Sequence, residues 1–188
     1  MNTLRAIETI YDKHNFRSRA EAKWAVVFNS LNIPYVYEPE GFYLSDGTMY
    51  LPDFYLPECG QWFEVKGVMH PKDIHKIEMF IKESGCALTV GYEDFTFQAC
   101  DNWWYNEFSL ADKHASILAS CRTCGKKWFM GTNGSYACPC CDAYDGDRGF
   151  DTLAFGDGDN AYTAIEAETA FNAGRYARFE HGESPRIA

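Results

Sequence analysis

The run Trp62-Phe63-Glu64-Val65-Lys66-Gly67 limits how this chain can fold more than any other stretch of it. A strand points successive side chains to opposite faces, so Glu64 and Lys66 share one face and Val65 takes the other. Large apolar residues on both sides describe a central strand, covered above and below. Glu64 and Lys66, roughly 6.6 Å apart along such a strand, then occupy positions where charge is costly unless it is paired. Upstream, Leu51-Pro52-Asp53-Phe54-Tyr55-Leu56-Pro57 reads as a second short strand, joined to the first by a turn. The pairing expected of these two strands brings Asp53 beside Glu64 and Lys66 and leaves the Val65 carbonyl as a further oxygen donor.

That donor set has a chemistry. Mg²⁺ and Mn²⁺ take hard oxygen ligands, commonly one or two carboxylates, and leave the remaining positions to water and substrate phosphate. Asp53, Glu64 and the Val65 carbonyl match this demand. A lysine beside them would orient and help deprotonate an attacking water, or stabilise charge on a scissile phosphate. The plainer alternative is a solvated Glu64–Lys66 pair on an exposed strand. The apolar residues on both faces weigh against it.

Pro52-Asp53 followed by Glu64-Val65-Lys66, with a helix bearing Glu21 before them, resembles the PD-(D/E)xK nuclease superfamily over roughly residues 14 to 92. The elements expected in order are a helix over 18–31, a strand over 34–43, strands carrying Asp53 and then Glu64 and Lys66, a helix over 71–84, and a strand over 87–92. This αβββαβ order is similar to the restriction-endonuclease-like core of that family, and an α/β fold is the expectation. Residues 16 to 67, with Tyr37-Glu38-Pro39-Glu40-Gly41, more narrowly resemble small nucleases encoded by tailed bacteriophages. The resemblance implies a metal-dependent deoxyribonuclease holding one or two Mg²⁺ (or Mn²⁺) on Asp53 and Glu64. It also implies an acidic residue from the first helix near the metal, here Glu21. Read without the family, Ser18-Arg19-Ala20-Glu21 is equally a capping box that needs no metal. The functional reading of Glu21 rests on its sharing a helix face with Trp24, Ala25 and Phe28.

A second unit is spelled by Cys121-Arg122-Thr123-Cys124 and Cys138-Pro139-Cys140-Cys141. Two CxxC pairs at this separation have zinc-ribbon spacing, and four thiolates would close a structural Zn²⁺ site. Cys138 and Cys141 mirror the spacing of Cys121 and Cys124, so Cys141 is preferred over Cys140 as the fourth ligand. A disulfide reading would need an oxidising compartment. Cys59, Cys86 and Cys100 show no mutual spacing and read as isolated thiols.

The net charge of −10 opposes nucleic-acid binding as a whole-chain property. Its distribution is uneven. Residues 121–141 contain Arg122, Lys126 and Lys127 and no acid, with Trp128, Phe129 and Tyr136 available to stack on bases. A second basic group, Lys13, Arg17, Arg19 and Lys23, straddles the start of the first helix. Arg17, Arg19, Lys23, Arg122, Lys126 and Lys127 are therefore the expected contacts to DNA phosphates. The expected organisation is a core over 1–120, with an aromatic extension around Trp103-Trp104-Tyr105 and Phe108 and a helix near 109–119. A zinc-ribbon-like module follows over 121–141, an acidic Gly/Asp-rich linker over 142–160, and a terminal helix and tail over 161–188. The tail segment Arg175-Tyr176-Ala177-Arg178-Phe179-Glu180-His181-Gly182-Glu183 is a candidate contact for a phage or host protein. No apolar run is long enough to span a membrane. Met1-Asn2-Thr3-Leu4-Arg5 lacks the apolar core of a signal peptide. The expected setting is cytoplasmic, that of the host cell for a phage-encoded chain. The rival reading is a non-catalytic binding module, a nuclease scaffold with a ribbon that engages nucleic acid or a host protein.

Overall fold

The computed structural model describes residues 7–100, 110, 115–131, 137–144, 149–157 and 163–179. The chain is mixed α/β, with three helices and several sheets among the described residues. It opens with the hairpin β1 (Thr9–Tyr11) and β2 (His14–Phe16), then α1 (Arg19–Ser30) and β3 (Val36–Tyr37). A second hairpin of β4 (Phe42–Tyr43) and β5 (Met49–Tyr50) precedes β6 (Phe54–Leu56) and β7 (Gln61–Lys66). Next come α2 (Pro71–Ser84), β8 (Leu88–Tyr92) and β9 (Phe97–Cys100). The strands β10 (Ser116–Cys121), β11 (Lys127–Gly131) and β12 (Phe150–Phe155) and the helix α3 (Ile165–Tyr176) follow.

The principal sheet has the order β3-β6-β7-β8-β9. The strand β7 lies at its centre, antiparallel to β6 and parallel to β8 through the α2 crossover. Its alternation decides what covers each face. Phe63 and Val65 join Trp24, Ala25 and Phe28 of α1 in one core cluster. Trp62 joins Ile77 and Phe80 of α2 in the other. Both helices are marked at their ends. Ser18 caps α1, its hydroxyl accepting from the Glu21 amide. In α2 Pro71 opens the first turn, His70 and Asp73 form a capping box, and Gly85 closes the helix at φ 70°.

Three sequence expectations are corrected. The strand expected over 34–43 is broken in two. Glu38 takes a left-handed φ of 44° before Pro39, and Phe42 then starts a separate hairpin instead of continuing the sheet. The helix expected near 109–119 gives way to β10 from Ser116, because Ile117, Leu118 and Ala119 are buried in a strand between β11 and β12. Residues 109 and 111–114 of that reading lie outside the described residues, as do Trp103, Trp104, Tyr105, Phe108, Tyr136 and the tail from Glu180. The span 142–160, read as a linker, contains β12.

The sheet β11-β10-β12 is continuous with the core. The Phe129 ring lies 5.1 Å from Phe63 and 5.0 Å from Phe97. The Phe97 amide donates to the Gly156 carbonyl (2.8 Å), and the Gly156 amide donates to Ser116 (2.7 Å). A boundary drawn at 120/121 falls inside β10. No helix among the described residues is long and apolar enough to cross a membrane.

Candidate active site and cysteine cluster

The register of β6 and β7 creates the site. Phe54 pairs with Phe63, and the ladder stops there. One residue further on, the Asp53 side chain replaces the missing partner strand. Its Oδ2 accepts the Val65 amide at 2.7 Å. A strand residue points its N–H and C=O toward the same neighbour, so the Val65 carbonyl also faces the Asp53 edge. Glu64 and Lys66 project from the α2 face. Lys66 Nζ lies 2.6 Å from Glu64 Oε1 and 3.8 Å from Asp73 Oδ1 on α2. The second Glu64 oxygen accepts from the Tyr50 hydroxyl at 3.0 Å. Asp53 and Glu64 are 4% and 3% exposed, so these are buried carboxylates.

Burial and crowding set the electrostatics. Desolvation, then the negative charges of Glu64 and Glu21, hold the Asp53 carboxyl well above its usual range, against the pull of the Val65 amide and Lys66. Burial alone would lower the Lys66 ammonium. Glu64 first, then Asp53 and Asp73, outweigh it and raise the ammonium above its ordinary value. Tyr50 is also pushed well up by burial and the nearby carboxylates. It stays a phenol and a donor to Glu64. Carboxylate and carbonyl oxygens of this kind are the hard donors that Mg²⁺ and Mn²⁺ take.

Glu21 lies 7% exposed at the start of α1 with both carboxylate oxygens engaged. Oε1 accepts from the Ser18 hydroxyl (2.8 Å). Oε2 accepts from the Tyr37 hydroxyl (2.6 Å) and the Arg17 amide (3.1 Å). Glu21 therefore ties down the first turn of α1, and its charge still acts on Asp53.

The four cysteines form a tighter constellation. The Sγ atoms of Cys121, Cys124, Cys138 and Cys141 all lie within 4.8 Å of one another. This is the one group of three or more His, Cys, Asp or Glu side chains among the described residues that is gathered closely enough to hold a metal ion. The acidic residues around Asp53 are looser. The Cys121–Cys141 and Cys124–Cys138 sulfur separations are 3.8 and 3.7 Å. A tetrahedron with metal–sulfur bonds of about 2.3 Å has edges of about 3.8 Å. All eight cysteines are free of disulfide bonds.

Two matching knuckles build the cluster. The Gly125 amide donates to the Cys121 carbonyl (2.8 Å), and the Asp142 amide donates to that of Cys138 (2.9 Å). Both residues are left-handed, at φ 71° and 55°. Within each knuckle an amide two residues on points at the first sulfur, Thr123 to Cys121 and Cys140 to Cys138, both at 3.4 Å. Burial works against the Cys121 thiolate, but the amides of Cys124 and Thr123 pull its pKa down to about 7. Cys141 completes the group and Cys140 stands outside it.

Four of the six residues expected to meet phosphate have carboxylate partners. Arg17 lies 3.0 Å from Asp53 and 2.5 Å from Glu38. Arg122 pairs with Asp151 at 2.6 Å, Lys127 with Glu166 at 2.9 Å, and Lys126 with Glu58. Arg19 and Lys23 lie on the first turns of α1, both half-buried. Tyr37, Glu38, Tyr50 and Asp73 are not among the site residues expected from the sequence, although Tyr37 and Glu38 fall in the segment that carries the narrower resemblance. The Asp46-Gly47 dipeptide carries a hairpin signal that would have exposed one of them. It turns β4 into β5 and delivers Tyr50 to Glu64.

Comparison of the chain with protein-family models, curated proteins and solved structures gave no match.

Proposed function

We propose that this chain is a metal-dependent nuclease that hydrolyses DNA phosphodiester bonds at Asp53, Glu64 and Lys66. The observation that carries this reading is the opening of the β6–β7 ladder. There, two buried carboxylates and a paired lysine meet on a central strand. An ion pair of this kind inside a sheet does little for stability, and perturbed buried groups cluster at functional sites. The order α1, β3, β6, β7, α2, β8 supports the PD-(D/E)xK resemblance, and a nuclease core is the fold proposed.

Asp53, Glu64 and the Val65 carbonyl would hold Mg²⁺ or Mn²⁺. Such an ion supplies Lewis-acid polarisation of the phosphate and a more acidic water. The protein side chains do the rest. The Val65 amide fixes the rotamer of Asp53, and the Tyr50 hydroxyl fixes that of Glu64. Lys66 is held protonated by its three carboxylate neighbours. It would stabilise negative charge developing on the phosphate or orient the attacking water. Glu21 contributes negative potential from behind the helix cap. At the ribbon, exposed ion pairs such as Arg122–Asp151 contribute little, so their cations are available to exchange a carboxylate for a DNA phosphate.

The cysteine cluster is proposed as a structural Zn²⁺ site, with all four positions closed by thiolate and none left for substrate. Elemental analysis of freshly purified protein should find about one zinc per chain; its absence would remove that assignment. Nuclease activity is tested by metal-dependent cleavage of DNA. An active, folded Lys66→Ala protein would contradict the mechanism.

A further inference from the structure

Arg17 stands between the solvent and Asp53. Its guanidinium Nη2 lies 3.0 Å from Asp53 Oδ1 and 2.5 Å from Glu38 Oε1. The main chain beneath it is pinned, because its amide meets both Glu21 Oε2 and the Tyr37 hydroxyl oxygen at 3.1 Å. The side chain itself is 55% exposed. It is a cation on a fixed base with room to swing.

The two oxygens of Asp53 have different duties. Oδ2 is committed to the Val65 amide. Oδ1 is the one through which Asp53 meets a cation, and Arg17 holds it. Glu38 braces both partners. Its amide donates to the Asp53 carbonyl at 2.8 Å, and its buried Oε1 lies against Arg17 as an ion pair without a hydrogen bond. It does so from a left-handed φ of 44°, a conformation that costs a non-glycine residue energy and tends to occur at functional sites. Three carboxylates, those of Asp53, Glu38 and Glu21, act on this one guanidinium. A dication brought to Oδ1 would be repelled by a guanidinium already there.

We propose that Arg17 is an exchangeable counter-ion. A divalent metal takes Asp53 Oδ1 from it, and the released guanidinium, still held by Glu38, turns outward to a phosphate of the DNA strand. The inference rests on the nuclease reading of the same site. A planar guanidinium suits both positions, since it matches the fork of a carboxylate and that of a phosphate. Metal and DNA binding become coupled. The metal must displace Arg17, and displacement makes Arg17 available to the substrate.

Exchange predicts opposite signs for two affinities in one variant. Arg17→Ala should bind Mn²⁺ alone about fivefold more tightly by calorimetry, the factor that an ion pair at the upper end of the exposed range represents. The same variant should bind a mixed-sequence DNA duplex more weakly in Ca²⁺. Its log–log salt slope should fall by about one, the signature of a lost phosphate contact. Arg17→Gln, which keeps the length of the side chain and removes its charge, should repeat both changes if alanine disturbs the fold. A merely structural Arg17 would weaken both affinities together. Unchanged or weaker Mn²⁺ binding in these variants overturns the exchange while leaving the metal site standing. Wild-type protein that binds no Mn²⁺ contradicts the site itself, and the exchange falls with it.

Discussion

Gln61 stitches the cysteine-bearing sheet to the strand that carries Glu64 and Lys66. Buried at 5% exposure, it uses its amide as a short piece of ladder. Nε2 donates to the Phe129 carbonyl at 2.7 Å, and Oε1 accepts from the Phe129 amide at 3.1 Å. Gln61→Leu preserves approximate volume but strands that amide and carbonyl in the core. Each buried backbone group left without a partner costs about 1–3 kcal/mol, so the pair should cost roughly 3 kcal/mol in total. With a urea m-value near 2 kcal/mol/M, the unfolding midpoint should fall by about 1.5 M. The assay is urea unfolding of zinc-loaded protein followed through tryptophan fluorescence. Trp62 and Trp128 lie on either side of the junction, one residue from Gln61 and from Phe129. A midpoint shift below about 0.3 M, which is roughly 0.6 kcal/mol at that m-value, would refute the reasoning. The two sheets would then be held together without this side chain.

Other perturbations test separate parts of the account. Gly91 pairs with Val65, and a Cβ there would lie 2.4 Å from Phe63 Cζ and 2.7 Å from Trp24 Cε2. Both rings are fully buried, so Gly91→Ala should cost about 3 kcal/mol and lower Tm by about 6–12 °C in calorimetry. Unchanged Tm would mean that the core is looser than these distances describe. For Asp53 the folded-state carboxyl is raised, so its contribution is fully present below the unfolded pKa and is lost as pH rises through the folded value. Without metal, Asp53→Asn should therefore gain stability relative to wild type as pH rises above about 4, the unfolded carboxylate value, and it should lose stabilisation by Mn²⁺. A relative Tm that falls over that range would contradict the cause given for the shift. Cys141→Ser should lose zinc while Cys140→Ser keeps it, and equal zinc content in the two variants would reverse the ligand assignment.

The elements legible in the sequence were those with a strong period or clear punctuation. The stripe of Trp24, Ala25 and Phe28, and Pro71 at the start of α2 with Gly85 at its end, place the two helices within a residue or so. The apolar-on-both-faces pattern around Glu64 marks β7 as the sheet centre. The three-stranded sheet was not legible. A continuous buried run such as Ile117-Leu118-Ala119 has no period to distinguish strand from helix, and β12 lies in a Gly- and Asp-rich stretch that suggested a linker. The site divides the same way. Asp53, Glu64 and Lys66 are spelled locally, whereas their partners come from far along the chain. Arg17 reaches Asp53 across 36 residues, and Tyr50 reaches Glu64 across 14. Such contacts depend on register and hairpin geometry, of which only the Asp46-Gly47 turn is written in a short stretch of sequence.

The central claim is that the buried Asp53 and Glu64, with the half-buried Lys66, cut DNA with a divalent metal. It is tested most directly by offering linear, circular, single-stranded and branched DNA to the zinc-loaded protein with Mg²⁺ or Mn²⁺, beside a folded Lys66→Ala control. The account predicts cleavage of at least one substrate that requires the added metal and is abolished in the variant. Cleavage that survives in Lys66→Ala, or no cleavage by a protein that also fails to bind Mn²⁺, would contradict it and leave the fold as a binding scaffold.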